Sequence, residues 1–86
     1  MEQITKYMLY ISMIGNSKNE YKFYCTNYNE KYNFTNCKNC AYIFTDKTNC
    51  EQLSKQYVTE KDKYEKLFSD WVNEPIKFNL VIIEEL

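Results

Sequence analysis

The four cysteines are the residues in this chain best suited to chemistry. Cys37 and Cys40 are two residues apart, and two thiolates so spaced in a turn can share one metal ion. Cys25 and Cys50 would complete a tetrahedral set of four thiolates around a structural zinc. The intervals of eleven, two and nine residues match no standard zinc finger or ribbon. Cys25 and Cys50 also fall on the apolar faces of an expected strand and an expected helix, where a thiol serves as a small buried hydrophobe. The favoured reading is therefore four inert thiols with no metal and no other cofactor. Structural zinc is the alternative, and disulfide pairing comes third. A redox pair needs a helix N-terminus to lower its thiolate pKa. Cys37 and Cys40 lead into an expected extended segment, so redox chemistry is not expected.

Other catalytic constellations are missing. The chain has no His, the commonest general base, and no Arg, the usual bidentate clamp for phosphate. Without His, a cysteine nucleophile would need another base. The only glycine is Gly15, so no Gly-rich loop cradles a phosphate. No carboxylate pair is tied by its spacing to a pocket. The expectation is a protein that is not an enzyme.

Binding remains. Tyr28, Tyr32 and Phe34, interleaved with asparagines between Asn27 and Asn39, would offer rigid aromatic contacts beside adaptable polar ones. Nine tyrosines look too many to bury in 86 residues. Net charge is −1 and uneven: residues 1–40 hold five Lys and three acids, and residues 41–86 hold six Lys and nine acids. Glu65, Asp70 and Glu74 would be the centre of an acidic binding surface. The plainer alternative is that these acids pair with lysines along a helix, as Asp62/Lys66 and Lys66/Asp70 could at a spacing of four. A small structural or zinc-stapled interaction domain is the second reading, and a single-strand nucleic-acid binder using Tyr24, Tyr28, Tyr32 and Phe34 with Lys22, Lys31 and Lys38 ranks third. The negative charge and the lack of Arg weaken the phosphate attraction behind such binding.

The elements that would position these residues follow from periodicity. Lys6–Ile14 is apolar on both faces and predicts a strand central to a sheet. Gly15–Asn19 is a turn in which Gly and Asn tolerate positive φ. Glu20–Tyr28 predicts a second strand, with Tyr21, Phe23 and Cys25 on one face and Lys22, Tyr24 and Thr26 on the other. A short strand is expected near Tyr32–Thr35 and an extended piece at Ala41–Phe44. Thr45 or Asp46 caps a helix carrying Cys50, Leu53 and Tyr57. Tyr64, Leu67, Phe68, Trp71 and Val72 then recur at helical spacing and predict a buried stripe. Thr59 either breaks this region into two helices or lies within one. Pro75 ends it, and Ile76–Ile83 predicts a final strand.

The whole predicts one α+β domain over residues 1–86. A β-hairpin and a C-terminal strand make a small antiparallel sheet, with one or two helices on one face. Neither a basic leader nor a run long enough to span a bilayer is seen, so a cytoplasmic protein with no membrane partner is expected. The abundance of Asn, Lys, Tyr and Ile suggests a low-GC genome.

The stretch Ala41-Tyr42-Ile43-Phe44-Thr45-Asp46-Lys47, with Cys50 on the next turn, resembles the junction of extended segment and helix in many small proteins of phages and mobile elements of low-GC bacteria. In character the chain is similar to anti-defence proteins, including anti-CRISPR inhibitors. That resemblance implies a stoichiometric inhibitor in the host cytoplasm that occupies the working surface of a host protein, a defence nuclease being one such target. It carries over no individual site residue.

Overall fold

The structure, a computed structural model, describes residues 3–26 and 33–86. Strands β1 (Tyr7–Gly15), β2 (Glu20–Cys25), β3 (Phe34–Thr35) and β4 (Ile76–Glu85) form one antiparallel sheet in the order β3-β2-β1-β4. Helices α1 (Lys47–Thr59) and α2 (Lys61–Val72) pack against one face of it. This is the α+β arrangement that the periodicity predicts.

β1 is central because both of its faces are apolar. Leu9, Ile11 and Met13 point into the core under the helices. Met8 and Tyr10 form a second cluster with Tyr24 on the opposite face, against Ala41 and Ile82. Burying each of the three inner side chains contributes about 1.5–3 kcal/mol. The alternation expected in β2 holds: Phe23 and Cys25 join the helix-side core, with Tyr21 packed on its rim, and Tyr24 lies on the other face.

Several local expectations need correction. In the hairpin turn the left-handed residue is Lys18, with φ 64°, and not the glycine or an asparagine. Gly15 is required for space instead. A Cβ there would collide with the Glu74 carboxylate and lie 3.2 Å from the Tyr21 ring. β2 ends at Cys25 rather than Tyr28, and β3 is only Phe34–Thr35. Tyr28 and Tyr32 lie outside the described residues. The extended piece expected at Ala41–Phe44 is present: Ala41 is extended, the Tyr42 amide donates to the Cys25 carbonyl (2.8 Å), and Phe44 exchanges two 2.9 Å backbone hydrogen bonds with Tyr7.

Asp46 is the cap of α1, accepting from the Thr48 amide at 2.9 Å. The helical region is two helices. Thr59 turns its hydroxyl back to the Lys55 carbonyl at 2.9 Å, and Glu60 leaves helical geometry between α1 and α2. α2 ends at Asn73, which takes the left-handed conformation (φ 59°) just ahead of Glu74-Pro75.

The core is built on stacked rings. Phe23 of β2 and Phe68 of α2 lie face to face, 3.9 Å between centroids and 2° from parallel. Phe34 meets Phe68 edge-on at 5.1 Å. Trp71, expected to be buried with Leu67 and Phe68, is 40% exposed, and Leu67 is half-buried. The helical phase is right, since the indole leans on Phe23 (5.3 Å) and Phe68 (6.0 Å). Trp71 sits in the last turn of α2, and so large a side chain is seldom covered completely.

α2 is also fastened to β4 by polar ties. Ser69 Oγ accepts from the Ile76 amide (3.1 Å), and a Glu65 carboxylate oxygen accepts from the Phe78 amide (2.8 Å). Between Phe78 and Leu80 the register with β1 shifts, leaving Asn79 as an extra residue in a bulge. β4 is an edge strand, and these ties occupy two of its backbone donors.

Two predictions follow from this core. Phe68→Ala should cost about 3–5 kcal/mol, whereas Trp71→Ala should cost roughly half as much because its side chain is only partly covered. Urea melts of the two variants check the order, and equal losses would mean that the indole is as buried as Phe68. The second concerns alkali. Burial pushes the phenol pKa of Tyr57, Tyr64 and Tyr10 up, and a hydrogen bond donated to Glu74 pushes that of Tyr21 up. All four hold their protons more tightly folded than unfolded. Their stabilising effect is therefore complete below the ordinary tyrosine pKa of about 10 and is lost as pH rises beyond it. Circular dichroism and phenolate absorbance recorded together through this range should show these four phenols ionising as the structure unfolds. Ionisation of all four ahead of any loss of structure would contradict these placements.

Candidate functional site

Beyond β3 the chain makes a tight turn that carries two of the four cysteines. The Cys37 amide donates to Thr35 Oγ1 (3.1 Å), the Cys40 amide to the Cys37 carbonyl (3.0 Å), and the Ala41 amide to the Lys38 carbonyl (3.1 Å). Residues Lys38–Cys40 form a single 3-10 turn. Lys38 reaches across to Glu84 of β4, with Nζ 3.0 Å from the carboxylate, and this partner raises the lysine pKa. The turn is thus anchored to both outer strands of the sheet.

Cys37 and Cys40 are both exposed on this turn. The influence of each thiol on the other lowers the Cys37 pKa and raises that of Cys40. Hydrogen bonds from the backbone of Asn39 and Cys40 lower Cys37 further. The turn lies between the two cysteines, and the chain leaves it in the expected extended conformation at Ala41. Cys25 and Cys50 are buried in the core. The Tyr57 hydroxyl hydrogen-bonds to Cys25, and burial pushes the Cys50 thiol up. The four cysteines of the zinc reading fall into a surface pair and a core pair. Among the described residues, no three Cys, Asp or Glu side chains gather where they could hold a metal ion.

The acidic candidates separate in the same way. Glu65 is committed to the Phe78 amide, and Glu74 accepts a hydrogen bond from the Tyr21 hydroxyl. Of the three residues proposed as an acidic centre, only Asp70 is exposed. The ion pairs among the described residues are Lys38–Glu84 and Lys63–Glu60 (3.3 Å), so Asp62/Lys66 and Lys66/Asp70 do not form. Glu65 lies one turn before Ser69 on the helix flank that meets β4.

The aromatic candidates separate too. Phe34 is buried against Tyr57, Tyr64 and Phe68 and is a core residue, not a contact residue. Of the seven described tyrosines only Tyr42 is classed as exposed, at 41%. The others fit because the sheet buries apolar surface on both faces. Tyr10 and Tyr24 pack together on the face without helices, ring centroids 4.9 Å apart, and Lys22 lies 5.5 Å from the Tyr10 ring.

Two surface features remain that the sequence reading did not single out. A depression of about 420 Å³ is lined by Ser69, Asp70, Asn73, Glu74 and Pro75, next in sequence to the exposed Trp71. A groove of about 360 Å³ runs between Tyr42–Asp46 and α1, with Phe44 and Leu53 among its apolar lining and Asn49, Gln52 and Gln56 along the helix. On the helix-free face Ser12 donates to Glu20 (2.6 Å) and accepts from Asn79 (3.2 Å). Ser12 is fully buried, so this trio braces the bulge and has no access to a substrate. Among the described residues no helix is long and apolar enough to cross a membrane.

No protein-family model, no curated protein and no solved structure matches the chain.

The placement of the cysteines is open to a direct check. Under native conditions an alkylating agent should modify Cys37 and Cys40 readily and reach Cys25 and Cys50 only on unfolding. Chelator should leave the circular dichroism unchanged. One zinc per chain by elemental analysis, lost together with the fold, would instead place all four thiolates around one metal.

Proposed function

We propose that the protein is a non-enzymatic, stoichiometric inhibitor that binds a host protein through the C-terminal end of α2. On this reading it comes from a phage or mobile element, and it blocks a host defence protein in the cytoplasm by occupying its working surface. The observation that carries the proposal is Trp71. The only tryptophan of the chain is 40% exposed and is seated on the Phe23/Phe68 stack. A large, rigid side chain held at the surface by the core is the kind of residue that dominates binding energy. Asp70 beside it is exposed and forms no ion pair among the described residues. Glu74 borders the same depression as Asp70, although it is engaged by Tyr21.

This combination suits a partner with an apolar pocket rimmed by lysine or arginine. Defence nucleases hold nucleic acid in grooves rich in such cations. The indole would supply most of the affinity, and the acids would speed and orient the encounter.

The test begins with a partner captured from a low-GC bacterial lysate, followed by titration of purified components. Trp71→Ala should weaken binding at least ~30-fold, the effect of a hot spot worth about 2 kcal/mol. Asp70→Lys should weaken it less and reduce its salt dependence. Both variants should keep the parent circular dichroism spectrum. If neither matters and binding collapses instead on changing Tyr28 and Tyr32, the segment that holds these two residues is the binding site and the α2 surface is not. Salt-sensitive binding of a single-stranded oligonucleotide with no protein partner would favour nucleic acid instead.

A further inference from the structure

Cys37 and Cys40 have no part in the binding surface of α2, and their arrangement has chemistry of its own. We infer that they form a thiol–disulfide exchange site whose substrate is a low-molecular-weight disulfide. Two observations support this. Both thiols are exposed, so a small disulfide can reach them. They also bracket a turn closed by the 3.0 Å hydrogen bond from the Cys40 amide to the Cys37 carbonyl. Such a closed four-residue turn holds its end Cα atoms within ~7 Å, close to the roughly 4.4–6.8 Å span that a disulfide requires.

The reduced turn is therefore already close to the shape of the oxidised one. The anchors at Thr35 and Glu84 use the Cys37 amide and the Lys38 ammonium, not the sulfurs. Oxidation leaves both in place. The core thiols Cys25 and Cys50 are buried and do not compete.

The direction of the reaction follows from the opposite shifts of the two thiols, Cys37 lowered and Cys40 raised. Cys37, favoured as the thiolate, attacks one sulfur of the small disulfide. Its S–S bond breaks, one half leaves as a thiolate, and the other half remains on Cys37 as a mixed disulfide. Cys40 then gives up its proton and attacks the Cys37 sulfur, expelling the second half as a thiolate. Two protein thiols are oxidised to one disulfide, and one small disulfide is reduced to two thiols. Excess small thiol runs the same steps backwards.

The experiment uses the full chain in graded mixtures of reduced and oxidised glutathione, with acid quenching, alkylation and peptide mass spectrometry. The native protein should lose two hydrogens per chain, all within the peptide holding Cys37 and Cys40, and recover them in excess reduced glutathione. Cys40→Ser should trap a glutathione adduct on Cys37. In the native protein a limiting amount of alkylating agent near neutral pH should modify Cys37 ahead of Cys40, as the thiol with the lower pKa would. The substitution is at an exposed position, and circular dichroism confirms the fold. Four free thiols throughout the series, modification of Cys40 ahead of Cys37, or a disulfide reaching Cys25, Cys50 or a second chain would each overturn the assignment. Loss of partner binding by Trp71 variants bears on α2 alone and leaves this result untouched.

Discussion

The face-to-face contact between Phe23 and Phe68 ties the sheet to its helical cover. Two rings 3.9 Å apart and nearly parallel fix the distance between β2 and α2 and the rotation of α2 about its axis. Once that rotation is set, Tyr64 stacks on Phe68 from the preceding turn, and Phe34 comes edge-on from β3. A strand of two residues has few ladder hydrogen bonds, so β3 depends on Phe34 being held in this cluster. A chain of 86 residues has little core to spare. Placing large rings at the contact between layers lets few residues bury much surface.

The same rotation decides what the charged residues do. With Phe68 inward, Ser69 and Glu65 lie along the flank that faces β4, and each takes up a backbone amide of that strand. Glu74, just beyond the helix, is drawn to the Tyr21 hydroxyl and fills the space left by the missing side chain of Gly15. A composition count gives each acid in the second half of the chain equal weight as a surface charge. The fold spends several of them otherwise: Asp46 caps α1, Glu65 covers an edge donor, Glu74 closes the hairpin end, and Glu84 anchors the cysteine turn through Lys38.

This explains what the sequence disclosed and what it hid. The unbroken apolar run of β1, the alternation in β2 and β4 and the three-and-four spacing in α2 are local consequences of burial, and they made the α+β architecture legible. The capping role of Asp46 is local as well. The helix break at Glu60 was ambiguous, since Thr59 is tolerated within a helix and bends it only when its hydroxyl turns back to Lys55. The acids were misread because Glu65 and Glu74 find partners 13 and 53 residues away, which no spacing rule reports. Six of the seven described tyrosines are covered at least in part, more than the composition suggests. The sheet has a second apolar face, where Tyr10 and Tyr24 are covered without any helix. The cysteine turn was hidden because Lys38–Cys40 is too short to carry a periodic signal.

On the proposed reading, the relation between Trp71 and the acids sets what kind of partner could bind. The unengaged carboxylate at that end of α2 is Asp70, and an exposed charge is largely screened beyond about 8 Å at physiological salt. It can guide an approach and select against an acidic surface, but one such charge contributes little to holding a complex together. The indole differs, because its inner side is already ordered against Phe23 and Phe68. Little side-chain freedom remains to be lost when a partner covers the outer side. A featureless basic groove would therefore gain little from this surface, however many cations it carried. The partner that gains most has an apolar recess matched to the indole and a cation at its edge, so shape at Trp71 matters more than net charge.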